Sequence, residues 1–210
     1  MILALDVGFR STGCAVFDKG RIIHVVTLHT EKAHKKNVRV ADDTVERAAL
    51  MAQQISTTYD MYNCQGVVAE LPTGGSQNAR AAAQMFGAIC IIGAIIGLKE
   101  IPCEFCTPRD VKMAITGSAK ASKEYMMRKV VRMYNWKIDA NRREQNFTRQ
   151  AKVVKGKVVR KRVEKRITVD TWRVFTLNGI ILNKKTFEHI ADAIGAYHAL
   201  KNNNLVKMFG

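Results

Sequence analysis

The chain is short of acid. Eighteen Asp and Glu stand against 34 Lys and Arg, giving a formal net charge of +16 and a pI near 9.9. Such a shortage says little about fold and much about partners: phosphate polyanions come first, an anionic membrane surface second. Cysteine is equally uninformative as a scaffold. Five residues, an odd number, supply no disulfide framework, and a reducing compartment is expected. Cys103-Glu-Phe-Cys106 has the spacing of half a zinc site, but no second pair exists to complete it. In a strand, residues three apart point to opposite faces, so two core thiols are expected there instead. Nor is there a run long enough to span a bilayer comfortably. Met85–Leu98 is continuously apolar but short, with Lys99 and Glu100 directly behind it. A buried helix starting near Asn78 is expected, with Gly87, Gly93 and Gly97 allowing close backbone approach, packed partly on the core and partly on a second subunit. No charged-apolar-small leader opens the chain, so no signal peptide and no membrane association are expected, and a cytoplasmic protein is.

What is present fits a single domain of residues 1–210, long enough to bury a real core. Residues 2–7 read as an apolar strand. A turn over 8–13, a strand over 14–18, a Lys19-Gly20 hairpin and a third strand over 22–28 follow. That meander resembles the start of an RNase H-like sheet. A helix is predicted over about 38–59, with Val45, Ala49, Ala52 and Ile55 near helical spacing. Gly66–Glu70 predicts a central strand, 102–106 a fifth strand, Thr107-Pro108 a helix start running to about 116, and Ser122 the cap of a helix to about 134. The last helix is predicted from about 186 to 200, with Ile190, Ile194 and Tyr197 as its apolar stripe and the Asn-rich end frayed.

Between 136 and 185 the character changes. From Arg142 to Arg166 there are eleven Lys and Arg against two Glu. Val159, Val163, Ile167 and Val169 fall on one parity and Arg160, Arg162 and Arg166 on the other, the signature of a half-buried strand with an arginine face. Lys155-Gly156 and Asn178-Gly179 supply turns. The segment reads as a basic β-hairpin insertion before the last helix, its arginines DNA-binding; a plain solvated face is the alternative.

Three acids occupy positions where the backbone leaves buried elements: Asp6 after the first strand, Glu70 after the fourth, and Asp192 on the last helix one turn from His189. Ligands and chemistry collect at strand ends in α/β sheets. Clustered carboxylates repel unless a cation holds them, and hard oxygen donors suit Mg²⁺ or Mn²⁺. Taken singly, Asp6 could bind its own turn and Glu70 could pair with Arg80 or Arg10. The Asp6-Val-Gly8 turn also occurs in sugar kinases and actin-like ATPases, which need a second such domain that this length does not hold.

The order of motifs goes further. Leu5-Asp6-Val-Gly8 leading to Thr12-Gly13, then Val68-Ala-Glu70, Asn78 through Ala82 into a Gly-rich helix, Thr107-Pro-Arg-Asp-Val-Lys112 with Gly117 and Lys123, and finally His189-Ile-Ala-Asp192-Ala193 resemble the RuvC family of Holliday-junction resolvases. The resemblance covers residues 1–135 and 186–200. It implies an RNase H-like α/β fold, a five-stranded mixed sheet flanked by helices. It implies that Asp6, Glu70, His189 and Asp192 are catalytic and bind two Mg²⁺ per site, with Mn²⁺ as substitute. It further implies that Lys112 and Lys123 contact DNA, and that a homodimer cuts four-way junctions by paired symmetric nicks, in a prokaryote or an infected host cell.

Two departures qualify the resemblance. Relatives commonly carry an aromatic or bulky residue after the Glu, whereas here Leu71-Pro72-Thr73-Gly74-Gly75 follows. The basic insertion is absent from the common short members. A nuclease of relaxed specificity on forks, flaps and other branched DNA is therefore the first alternative. A non-catalytic DNA-binding protein on a nuclease core is the second.

Overall fold

The computed structural model describes all residues except 34–37, 74–77, 150–151, 155–156, 161–162 and 177–178. Over 140–170 it describes backbone only. Alternation of side chains builds the central layer. Strands β1 (Ile2–Asp6), β2 (Ser11–Asp18), β3 (Arg21–His29), β4 (Gly66–Glu70) and β5 (Cys103–Cys106) form a mixed sheet in the order β3-β2-β1-β4-β5. β1 is antiparallel to β2 and parallel to β4, and β4 is parallel to β5. Leu3, Leu5, Cys14, Val16, Val67 and Ala69 face one way, against α1 (Val40–Met61) and α2 (Ala79–Lys99). Ile2, Ala4, Ala15, Phe17 and Val68 face the other way, against α3 (Pro108–Thr116), α4 (Lys123–Met133) and α5 (Lys184–Leu200). The arrangement is the helix–sheet–helix sandwich of the RNase H-like class.

The helix starts follow their chemistry. The Thr107 hydroxyl accepts from Asp110 N while the Asp110 carboxylate accepts from Thr107 N, a capping box closed by Pro108 in the first turn. Ser122 caps α4, Asn78 caps α2, and Asn183 Oδ1 accepts from Lys185 N and Thr186 N to cap α5.

A second sheet lies upstream of α5. Strand β6 (Lys137–Arg149) pairs antiparallel with β9 (Val163–Phe175), which pairs with β10 (Ile181–Asn183); β7 (Lys152–Val154) and β8 (Lys157–Arg160) form a separate pair. Its base is built into the core. Trp136, Trp172, Val174 and Leu182 are buried with Phe187, and the Arg128 guanidinium and Lys184 ammonium lie 4.8 and 5.0 Å from the Trp172 ring centroid. Gly179, at φ +77°, turns β9 into β10. Asn178 and the Lys155-Gly156 turn lie outside the described residues, as does Arg162. Arg160 and Arg166 are described in backbone only.

Helix α2 packs on the sheet along one side, through Ala88, Ile91, Ile92 and Ile95, while Phe86 and Leu98 on its other side are largely exposed. It is long and apolar enough to cross a membrane by length and composition, but that one stripe is core. The C-terminus does not fray at its asparagines; Asn204–Phe209 forms α6, and Leu205 and Val206 give it an apolar anchor. Asp43, in the first turn of α1, is buried beside Arg47, 3.7 Å away, and accepts from Ala33 N at 2.6 Å.

Candidate active site

One row of residues running across the sheet creates the site. The registers align Cys106, Glu70, Asp6, Gly13 and Thr27 on β5, β4, β1, β2 and β3. Position parity puts Asp6 on the side of Ala4 and Glu70 on the side of Val68, the face that carries α5. Two acids on adjacent parallel strands thus stand side by side beneath one helix. Thr27 Oγ1 donates to the Thr186 carbonyl at 3.0 Å, fastening the start of α5 over the row. A Cβ on Gly13 would sit far inside contact distance of the His189 carbonyl. The absence of a side chain at Gly13 lets α5 lie low enough for His189 Nδ1–H to donate to Asp6 Oδ2 at 2.7 Å.

The turn between β1 and β2 is equally compact. Thr12 Oγ1 donates to the Gly8 carbonyl and accepts from Gly8 N, and a Cβ at Gly8 would collide with the Ser11 carbonyl. The strand therefore resumes at Ser11, three residues earlier than the sequence suggests.

Asp6, Glu70, His189, Asp192, Lys112 and Lys123 all line one cavity of about 590 Å³. All six non-extension residues that the sequence nominates therefore converge. Arg10 and Lys185 also line it, and were not nominated. Lys185 falls in the first turn of α5, one turn before His189, a spacing that could have flagged it. Arg10 looks like an ordinary turn cation until the fold brings it to the rim.

Electrostatics mark the cluster as uncompensated. Burial first, then Asp192 and Asp6, push the Glu70 carboxyl up to about 8, against the opposing pull of Lys123 and Lys112. Asp192 is raised by burial and then by Asp6. His189 is raised by its hydrogen bond to Asp6, with burial opposing. Among the described residues, Glu70 Oε2 is buried without a hydrogen-bond partner, and neither Arg10 nor Arg80 reaches it. An orphaned carboxylate oxygen beside two more acids suits a hard divalent cation. Among the described residues no three such side chains are arranged to close on a single ion as they stand.

The family model described as crossover junction endodeoxyribonuclease RuvC matches residues 2–147. The chain belongs to the RuvC family. It is thus an enzyme of the crossover junction endodeoxyribonuclease class. RuvC of Thermus thermophilus in complex with a Holliday junction substrate superposes with a TM-score of 0.55 at 13% identity, covering 94% of this chain and 90% of that one. Another Thermus thermophilus RuvC structure gives 0.55 at 15% identity, covering 94% and 91%. At such identities the likeness is one of fold. No curated protein matches the chain in sequence. The RuvC match ends inside β6, so the rest of the second sheet and α5, which carries His189 and Asp192, lie beyond it.

Gly13→Ala tests how tightly the row is built. Overpacking at a close contact costs about 1–3 kcal/mol, which for a chain of this length lowers Tm by roughly 2–12 °C. Calorimetry should show that loss together with impaired cleavage, because α5 carries His189 and Asp192 with it. Unchanged Tm would mean that α5 does not depend on the glycine.

Proposed function

We propose that this RuvC protein is a metal-dependent, structure-selective endonuclease that resolves four-way DNA junctions by paired symmetric nicks. The observation that carries the reading is the side-by-side placement of Asp6 and Glu70 beneath His189 and Asp192, in a cavity edged by lysines. Asp6, Glu70, Asp192 and His189 would hold Mg²⁺ or Mn²⁺. When bound, two such ions offset the charge that develops on a phosphodiester under attack by water and on its leaving oxygen.

The chain's own residues do the rest. Lys112 and Lys123 present charge to the incoming phosphate, and the Lys123 ammonium is steadied by donating to Glu188 on α5. Asp6 orients the His189 ring and keeps its Nδ1 protonated. That leaves His189 able to hold a proton at the site. The 136–185 segment, with Arg160, Arg162 and Arg166, would extend the grip along a duplex arm as a basic elaboration of the single nuclease domain. Work on DNA in the cytoplasm follows from the same reading.

Symmetric nicking of a two-fold junction needs two sites, hence a homodimer. The outer stripe of α2 supports one. Ala83, Phe86, Cys90, Gly93, Gly97 and Leu98 are exposed at spacings of three, four and one, and a Cβ at Gly93 or Gly97 would meet nothing within 4 Å. An apolar stripe with small residues is the surface on which a second helix can lie close. Phe86→Glu with Leu98→Glu should convert a dimer into a 23.5 kDa monomer by light scattering. A double variant that stays dimeric would move the interface elsewhere.

The test of the function is cleavage of matched substrates with Mg²⁺: an immobile four-way junction, a fork, a flap and linear duplex. Paired nicks in the junction alone are the expected result. Cutting of every branched form would instead mark a general debranching nuclease, the reading favoured by the absence of an aromatic in Leu71-Pro72-Thr73.

A further inference from the structure

The cavity has two cationic rims, and only one is spoken for. Lys112 on α3 and Lys123 on α4 edge the side next to Glu70, where both act against its raised pKa. Arg10 and Lys185 edge the cavity from the β1–β2 turn and the first turn of α5. Both cations also lie within electrostatic reach of His29. Its imidazole is held below the usual range by partial burial, then by His189, Lys185 and Arg10, with Glu31 opposing. The ring is itself engaged, Nδ1 lying 3.0 Å from Ser11 Oγ.

Arg10 and Lys185 are exposed, and among the described residues neither side chain makes a hydrogen bond or ion pair. Lys123 differs in having Glu188. Yet the backbone beneath Arg10 is unusually well fixed. Thr30 N donates to the Arg10 carbonyl at 3.0 Å, and Thr30 Oγ1 donates to the Phe9 carbonyl at 2.8 Å. Thr30 Oγ1 in turn accepts from Arg47 Nε at 3.1 Å, and the Arg47 guanidinium lies 4.8 Å from the Phe9 ring centroid. Arg47 is only 7% exposed and is neutralised by Asp43, which also ties down Ala33. Removing one partner of such a buried pair is strongly destabilising, so the turn it holds is fixed in place. On the other element, Asn183 caps the helix at Lys185 N. Two free cations thus project from fixed backbone at the edge of the acid cluster.

We propose that Arg10 and Lys185 form a second phosphate grip, on a rim distinct from that of Lys112 and Lys123, which takes backbone phosphates of the cut strand flanking the scissile one. The inference rests on the nuclease reading above. It adds to it that the strand is held at both sides of the reacting phosphate. Arg10 supplies a planar fork that can engage two phosphate oxygens, and Lys185 a mobile point charge. Held at two places, the phosphodiester between them cannot rotate away from the acids, and this is the positioning that an in-line displacement needs.

Junction binding by the Arg10→Gln/Lys185→Gln protein is the test, measured by fluorescence anisotropy over a salt series in an Asp6→Asn background so that nothing is cut. Loss of two phosphate contacts should lower the log–log salt slope by roughly 1.4–1.8, at about 0.7 per single-strand and 0.9 per duplex contact. Each single variant should lose about half of that, and Lys185→Arg should restore its share. Tm should match the parent, since both side chains are exposed. An unchanged slope would overturn the grip. So would an unchanged slope with shifted Mn²⁺ affinity of the Arg10→Gln/Lys185→Gln protein carrying native Asp6, which would mean that the two cations balance the carboxylates rather than hold DNA. Failure of the nuclease reading shows separately, as wild-type protein that leaves junctions intact in Mg²⁺ whatever the slopes.

Discussion

Asp6→Asn should abolish junction cleavage, by on the order of a thousandfold or more, while junction affinity stays within about twofold. A loss of that size corresponds to about 4 kcal/mol of transition-state stabilisation. The substitution is selective because Asn keeps an oxygen where Asp6 Oδ2 accepts from His189 Nδ1, so the ring can remain oriented while the charge goes. The basic surface is untouched, hence the retained binding. Asp6 is also among the groups that raise Glu70 and Asp192. Removing its charge relieves repulsion, so the metal-free variant should melt no lower than wild type. Single-turnover cleavage beside equilibrium binding measures both quantities. Full-rate cutting by Asp6→Asn would remove the carboxylate row from the chemistry.

The metal-free protein should lose stability as pH rises from about 5 to about 8.5, and Mn²⁺ should return more of it at the upper end. Glu70 keeps its proton in the folded chain up to about 8, whereas a free carboxyl releases it near 4.5. Between those values the native state binds more protons than the unfolded one, so stability falls with increasing pH. The contribution is fully present below the unfolded value and gone above the folded one. Each unit of displacement is worth about 1.4 kcal/mol, so a few kcal/mol are at stake from Glu70. Asp192, raised for the same reasons, adds in the same direction, and so does His189 as it loses its proton above its ordinary value. A cation bound only by the folded protein reverses the trend by mass action, most strongly where the acids are ionised. Scanning calorimetry with and without Mn²⁺ at several pH values reads it out, with Glu70→Gln as the control that flattens the slope. An identical pH profile in wild type and Glu70→Gln would mean that Glu70 is not held protonated by its surroundings.

Much of this site is legible in the sequence because its chemistry follows local rules. A period of two places Asp6 and Glu70 at strand ends, a spacing of three joins His189 to Asp192, and Thr107-Pro108 announces the helix that carries Lys112. The partners across the sheet are not local. That Gly13 is the empty seat under His189, and that Thr27 fastens α5, depends on register between strands fourteen residues apart. The buried Arg47–Asp43 pair escapes notice because its partners, the donor Ala33 N ten residues from Asp43 and the acceptor Thr30 Oγ1 seventeen from Arg47, look like an ordinary polar loop. In α2 composition reports how greasy the helix is, not which side packs on the sheet; the fold assigns that side to Ala88, Ile91, Ile92 and Ile95.

The base of the second sheet constrains how this protein can be shortened. β10 ends at Asn183, the residue that caps α5, so no slack separates the sheet from the helix bearing His189 and Asp192. Trp136, Trp172, Val174 and Leu182 fill the same core as Phe187. Excising 136–185 as if it were an ornament would leave a hole beneath α5 and strip its cap. A trimmed version has to retain both ends of the segment, and lineages that shorten it would have to refill that hole from elsewhere.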